Sequence, residues 1–222
     1  MERGTVMAIL LARSKKTKSA KKSVDEPTWE IARLFPLQGH WTEAEYLALE
    51  RNSGNWMIEL ANGRLEVLPM ADMYHQDIVK FLLLLLDAFV TTRGIGRVYF
   101  APMPVRLFAG TLREPDLAFL RSHRIKDKRK APEGADLVME VVSPGAEARE
   151  RDFDAKREDY AKAKIPEYWI VDPEEKTITV LTLSGKSYQV HGVSKPGEHA
   201  ASKLLKGFKV AVREVFAAGE GK

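Results

Sequence analysis

One short run constrains this chain more than any other: Leu137-Val138-Met139-Glu140-Val141-Val142. Five apolar residues without polar alternation read as a strand buried on both faces, as in the middle of a sheet. An ionised carboxylate inside such a strand is costly unless a cation, a metal ion or several donors meet it. Glu140 therefore demands a partner from elsewhere in the chain.

The elements around that strand have legible boundaries. Thr42 with Glu45 makes a capping box that opens a short helix through Leu49. Trp56–Leu60 and Arg64–Leu68 read as strands joined by Ala61, Asn62 and Gly63, a strong hairpin signal. Asp72–Val90 reads as a helix with a Leu-rich middle and little polar face, so it is expected to be mostly buried, with Gly94 and Gly96 stopping it. Val98–Phe108, broken by Pro102 and Pro104, reads as an edge or bulged strand, and Asp116–Leu120 is again extended. A basic loop, Arg121–Gly134, precedes the strand Asp136–Val142, which Ser143-Pro144-Gly145 ends. Arg151–Ala163 has a helical pattern, Tyr168–Val171 is a strand, Thr177–Leu183 and Tyr188–His191 form a hairpin, and Arg213–Ala217 is a terminal stub. The expected architecture is α/β with a mixed sheet in one domain spanning 42–217, after a linker at 28–41 and before a short tail at 218–222.

Composition removes whole classes of function. With no cysteine among 222 residues, disulfide frameworks, thiolate zinc sites and cysteine nucleophiles are excluded. The longest apolar runs, Val6–Ala12 and Phe81–Leu86, are far short of the roughly 20 residues that cross a bilayer, so a cytoplasmic protein is expected. Residues 1–27 carry seven bases against three acids, which accounts for the whole net charge of +4 and leaves 28 bases and 28 acids in 28–222. The basic segment lacks apolar periodicity and reads as a disordered arm able to attract phosphates nonspecifically. Its lysines follow the short apolar stretch Val6–Ala12, the reverse of an export signal.

Two acids and one base are the chemical candidates. Asp116 stands directly after Pro115 at the head of a strand, and two acids on neighbouring strands can converge on one point, where hard oxygen ligands suit Mg²⁺ or Mn²⁺. Lys156 lies just past the loop leaving the Glu140 strand, four residues before Tyr160 on the same helical face. A strand–loop–helix return could carry its ammonium back to Glu140. The plainer reading makes Asp116 a turn cap, pairs Glu140 with a buried base, and leaves Lys156 in a surface pair with Asp152.

Four ordered blocks then carry a resemblance. Glu-Pro-Asp-Leu at 114–117, Val-Met-Glu-Val-Val-Ser-Pro at 138–144, Arg-Asp-Phe-Asp-Ala-Lys-Arg-Glu-Asp-Tyr at 151–160 and Ile-Pro-Glu-Tyr-Trp-Ile-Val-Asp-Pro at 165–173 resemble the bacterial Uma-type restriction endonuclease family of the PD-(D/E)XK nuclease superfamily. The likeness covers about 42–190. It implies a restriction-endonuclease-like core, a mixed central sheet flanked by helices with additional C-terminal antiparallel strands. It implies Asp116, Glu140 and the Val141 carbonyl as holders of Mg²⁺ or Mn²⁺, with Lys156 as the catalytic lysine displaced from the strand, where Val142 stands in its usual place. Glu59 and His75 also match family positions, against plainer readings as a solvent-facing strand residue and a backbone-satisfied helix residue. Tyr160 and Trp169 are expected to pack. Arg124, Lys126 and Lys128 are candidates for gripping phosphates. The family's Asp-Gly-Glu turn is Asn62-Gly63-Arg64 here, and the basic arm is outside its pattern. The implied activity is metal-dependent hydrolysis of DNA, by a chain that could work as a homodimer without a membrane partner. The competing readings are a noncatalytic nucleic-acid or protein-binding module on the same scaffold, and a nuclease for RNA or branched DNA.

Overall fold

The hairpin signal at Asn62-Gly63 is met in full. In the computed structural model, which describes residues 38–53, 58–68 and 70–221, the helix α1 (Glu43–Ser53) leads to β1 (Ile58–Ala61) and β2 (Arg64–Val67), paired antiparallel with Ala61 opposite Arg64. The two turn residues have φ of 50° and 74°, the left-handed pair that a two-residue hairpin requires. A Cβ on Gly63 would stand 2.8 Å from the Gly39 carbonyl oxygen, so glycine is needed there for space as well. The capping box is reciprocal: the Thr42 N–H donates to Glu45 at 2.9 Å and the Glu45 N–H to the Thr42 hydroxyl at 3.3 Å. The basic arm at 1–27, the linker up to residue 37 and the expected strand residues Trp56 and Met57 lie outside the described residues.

Next comes α2 (Met73–Thr92), capped by Asp72, whose side chain accepts the His75 N–H at 2.8 Å. It is less buried than its composition implies. Leu84 is 62% exposed and Leu85 37%, because the sheet and the C-terminal helix cover the stripe Ile78, Val79, Leu82, Leu86 and Val90 and leave the opposite face open. Gly96 does not merely stop the helix. It opens β3 (Gly96–Phe100), where a Cβ would lie 2.1 Å from the Leu120 carbonyl oxygen of the adjacent strand. The expected broken strand 98–108 is two strands in two sheets, since β3 ends at Phe100 and, past a cis Ala101–Pro102 bond, β4 (Val105–Phe108) pairs elsewhere.

β5 (Thr111–Arg113), absent from the sequence reading, joins the first hairpin to make a small sheet of order β2-β1-β5-β4. Beyond it lie β6 (Leu117–Arg121), β7 (Leu137–Val141), a helical crossover, β8 (Glu167–Asp172), β9 (Thr177–Ser184) and β10 (Ser187–Ser194). The central sheet runs β10-β9-β8-β7-β6-β3, antiparallel except for β7 and β8. The crossover between these parallel strands is α3 (Ala146–Glu150), a π-helical turn (Arg151–Ala155) and α4 (Lys156–Lys162). A small pair, β11 (His199–Ala201) and β12 (Lys209–Ala211), and α5 (Val212–Gly219) finish the chain.

Two cores sandwich this sheet. Leu137, Met139 and Val141 of β7 face one with α2 and α5, while Val138 faces the other with Tyr160 of α4 and Tyr168. The result is a mixed central sheet flanked by helices, with further antiparallel strands toward the C-terminus. Among the described residues no helix is long and apolar enough to cross a membrane.

Candidate active site

The two-residue alternation of strands decides which way the acids point. Glu140 follows Val138 in parity, so it faces α4, and Asp116 shares parity with Ala118 and Leu120, which pack in that same core. In the register of β6 and β7, Leu117 pairs with Met139; one step further sets Asp116 against Glu140. Like charges across a strand pair repel. Asp116 is held in place by the Val141 N–H, which donates to its Oδ2 at 2.8 Å.

The helix supplies the base. Lys156 Nζ stands 2.9 Å from Glu140 Oε1, 3.6 Å from Glu59 Oε1 and 3.5 Å from Asp152 Oδ1, with Lys156 only 3% exposed. One turn on, the Tyr160 hydroxyl donates to the same Glu140 oxygen, so this aromatic is more than the packing residue expected from its spacing. The proposed surface pair of Asp152 with Lys156 is a buried one. The π turn at Arg151–Ala155 adds residues to the helical path just before Lys156, a device common at functional sites.

Charge here is unbalanced toward acid. Burial pushes the Glu140 carboxyl up, Lys156 pulls it down, and Asp116, Asp152 and Glu59 push it up again, leaving it raised to about 8. Glu59 goes the other way. Burial would raise it, but Lys156, Arg113, the Glu114 N–H and Arg151 hold it down to about 2. Burial disfavours the Lys156 ammonium, yet Glu140, Glu59 and Asp152 outweigh that and raise its pKa, so the lysine keeps its proton.

His75 completes one wall of the cleft. Its Nε2 lies 2.9 Å from the Val141 carbonyl oxygen and 3.3 Å from Asp116 Oδ2, two acceptors, so Nε2 carries the hydrogen. Burial lowers its pKa, but the hydrogen bond and charge of Asp116, the Val141 carbonyl and Glu140 produce a net rise. Asp116, Glu140, Val141, His75, Lys156 and Arg151 line one cleft of about 130 Å³. The donor chemistry fits a hard divalent cation: two carboxylates and a carbonyl beside a surplus of negative charge. Both bonds to Asp116 use Oδ2 and both to Glu140 use Oε1, which leaves the other oxygen of each outside those contacts. Among the described residues no three His, Asp or Glu side chains form a group that could hold a metal ion by themselves.

Sequence reasoning missed the hub behind this wall. Arg113 of β5, 2% exposed, donates to Glu59 at 2.9 Å, to Asp159 at 2.7 and 3.0 Å, and to Glu66. It thereby ties β1 and β2 to α4, the helix carrying Lys156, and it makes Glu59 a buried partner rather than a solvent-facing strand residue. Glu59 also accepts the Glu114 N–H at 2.7 Å, and Glu114 accepts from Tyr46 at 2.8 Å. The one sequence signal was an arginine after two strand-like residues, Thr111 and Leu112, directly before the Glu-Pro-Asp block.

Arg151 was also missed. It is 6% exposed, its Nε is buried without a hydrogen-bond partner, and its nearest acid contact there is Asp152 at 3.7 Å. By contrast Arg124, Lys126 and Lys128 line a different cleft, and Arg124 is engaged with Asp136 and the Glu133 carbonyl, each at 3.0 Å.

No curated protein matches this chain. A crystal structure of a putative nuclease belonging to DUF820 from Anabaena variabilis superposes on it with a TM-score of 0.66 at 17% identity, covering 80% of this chain and 98% of the other. That likeness establishes a shared fold. Residues 43–213 match the family model described as "Uma2: Putative restriction endonuclease", and the chain therefore belongs to this family.

Proposed function

We propose that this chain is a metal-dependent endonuclease that hydrolyses DNA phosphodiester bonds through Asp116, Glu140 and Lys156. The supporting observation is the convergence of these three side chains, from β6, β7 and α4, in one cleft, with Lys156 Nζ 2.9 Å from Glu140. Asp116, Glu140 and the Val141 carbonyl would hold Mg²⁺ or Mn²⁺, which when bound polarises the scissile phosphate and offsets its developing charge. His75 orients the Asp116 carboxylate and the Val141 carbonyl through Nε2–H. Lys156 keeps its proton, so it acts by donating a hydrogen bond to the attacking water and by neutralising phosphate charge, not as a base. Glu59 sets the lysine's position from the opposite side. Arg151 offers a buried guanidinium N–H to a nonbridging phosphate oxygen. In-line attack of water on phosphorus would form the new P–O bond and break the P–O3′ bond, leaving a 5′-phosphate and a 3′-hydroxyl, the proton lost by the water going to solvent and the 3′ oxygen taking one from it.

One observation favours the noncatalytic module instead: Glu140 already has a lysine and a tyrosine on one oxygen, and no closed metal cage exists among the described residues. Nicking of supercoiled plasmid decides between them. The expected result is cleavage with Mg²⁺ or Mn²⁺, none with EDTA, and loss in both Asp116→Asn and Lys156→Met. Equal nicking by wild type and both variants would expose a contaminant. Inactivity together with no Mn²⁺ binding in calorimetry would leave the scaffold reading.

A further inference from the structure

Away from the Asp116–Glu140 cleft, the body of the protein has a base-rich loop. Residues 28–222 balance 28 bases with 28 acids, yet Arg121–Lys130 contains six bases, Arg121, Arg124, Lys126, Lys128, Arg129 and Lys130, against one acid, Asp127. This loop borders a cleft of about 490 Å³ with an apolar part built from Tyr99, Met103, Leu120, Ile125 and Pro132, and with Asp127 and Glu133 as the acids among its charged lining. Three of its bases are spoken for: Arg124 and Arg121 lie 3.0 and 3.8 Å from Asp136, and Lys130 lies 3.7 Å from Asp127. Lys126 and Lys128 line the cleft and are exposed.

The position of this cleft relative to the candidate active site follows from the β3–β4 connection. Ala101 and Pro102 line the Asp116–Glu140 cleft, while Tyr99 and Met103, on either side of them in the chain, line the basic one. One short segment is thus a wall of both.

We propose that the basic cleft binds an unpaired stretch of the polynucleotide flanking the bond cut next door, its bases against Tyr99, Met103 and Ile125 and its phosphates on Lys126 and Lys128. The identity of the occupant as substrate rests on the nuclease reading. The chemistry selects the occupant in two steps. Clustered positive charge at the rim complements a phosphate backbone. A concave apolar surface with an aromatic adds nothing for a duplex, whose bases are stacked inside, but it shelters the faces of unpaired bases. The volume lies in the range of small-ligand pockets and suits one or two nucleotides, not a helix.

The test uses the full chain and fluorescence anisotropy with a labelled single-stranded oligonucleotide and with the blunt duplex of the same sequence, in EDTA. The wild type is expected to bind the single strand at least about tenfold more tightly. Lys126→Glu/Lys128→Glu should weaken single-strand binding by about tenfold or more and reduce the slope of log affinity against log salt by about 1.4, two contacts' worth for a single strand. The basic arm is present in every protein compared, so the difference reports the loop alone. Met103→Glu, with folding checked by thermal melting, should remove the single-strand preference and leave duplex binding unchanged. Equal affinity for the two forms, unchanged affinity in the lysine variant, or an equal loss for both forms would each overturn the proposal. Plasmid nicking is measured separately, so absent cleavage with intact strand preference refutes the nuclease reading and spares the cleft, and the converse pattern does the opposite.

Discussion

Glu140 and Glu167 are buried glutamates on adjacent strands, β7 and β8, at 2% and 0% exposure, and they solve the same problem in opposite ways. Glu167 faces the α2 side of the sheet. Its two oxygens accept from Trp169 Nε1 at 2.8 Å, the Ser202 hydroxyl at 2.6 Å, and the backbone N–H groups of Lys203 and Leu204, each at 2.8 Å. Four neutral donors satisfy it without a cation. Glu140 faces α4, where an ammonium and a phenol share one oxygen and three other acids crowd around. The first is a clamp, holding the 202–204 loop to the sheet. The second sits in surroundings that improve when positive charge arrives.

The largest effect that can break this contrast is a crossed pair of amides. Glu140→Gln should lower nuclease activity by about a hundredfold or more, while leaving the thermal midpoint unchanged or higher, because it removes repulsion from Asp116, Asp152 and Glu59. Glu167→Gln should do the reverse. Whichever way its amide turns, the NH₂ faces either two backbone N–H groups or the Trp169 N–H, and unsatisfied buried donors cost about 1–3 kcal/mol each. A loss of about 3 kcal/mol, or roughly 6–12 °C in Tm, is expected, with activity per folded molecule intact. Melting curves and nicking rates on the two proteins check both halves; equal destabilisation would erase the distinction.

Both glutamates look alike in the sequence, each an acid in an apolar strand, and this marks where reading stops. Short-range signals were legible because their partners are near: Thr42 and Glu45 bond across three residues, and Asn62-Gly63 dictates its own turn. The meeting of Asp116, Glu140 and Lys156 was legible because a family pattern singles out all three, strand parity turns both acids to one face, and the helical crossover after β7 returns the lysine to it. Arg113 was not, since its carboxylate partners lie 46 to 54 residues away in sequence and its own strand has three residues. The π turn before Lys156 leaves no compositional trace. Leu84 and Leu85 misled because periodicity states what a helix offers, whereas neighbours decide how much of it is covered.

A pH series sharpens the contrast on the cleft side. Glu59 has its pKa depressed from an ordinary 4.5 to about 2, so its contribution to stability is complete above about pH 4.5 and is lost as pH falls through 2. The shift corresponds to about 3 kcal/mol. Urea unfolding of wild type and Glu59→Gln should show a stability gap at pH 6 that shrinks steadily between pH 4.5 and 2.5. A gap independent of pH would mean that Glu59 is held by neutral packing, as Glu167 is by neutral donors, and that the charge account of the cleft is wrong.

The smallest effect compares one hydroxyl at each acid. Tyr160 stays a donor because burial and the Glu140 charge push its own pKa well up; Tyr160→Phe removes its bond but leaves Lys156 on the same oxygen, and a carboxyl that binds a proton readily tolerates the loss. About 1 kcal/mol is expected. Ser202→Ala removes a donor to Glu167 and also the acceptor of the Leu205 N–H, 2.8 Å away, with no cation to compensate, so about 2 kcal/mol is expected. Urea unfolding at neutral pH orders the two. If Tyr160→Phe costs as much as Ser202→Ala, the phenol is a clamp on Glu140 as the serine is on Glu167, and the carboxylate is built into the scaffold rather than kept available for an incoming cation.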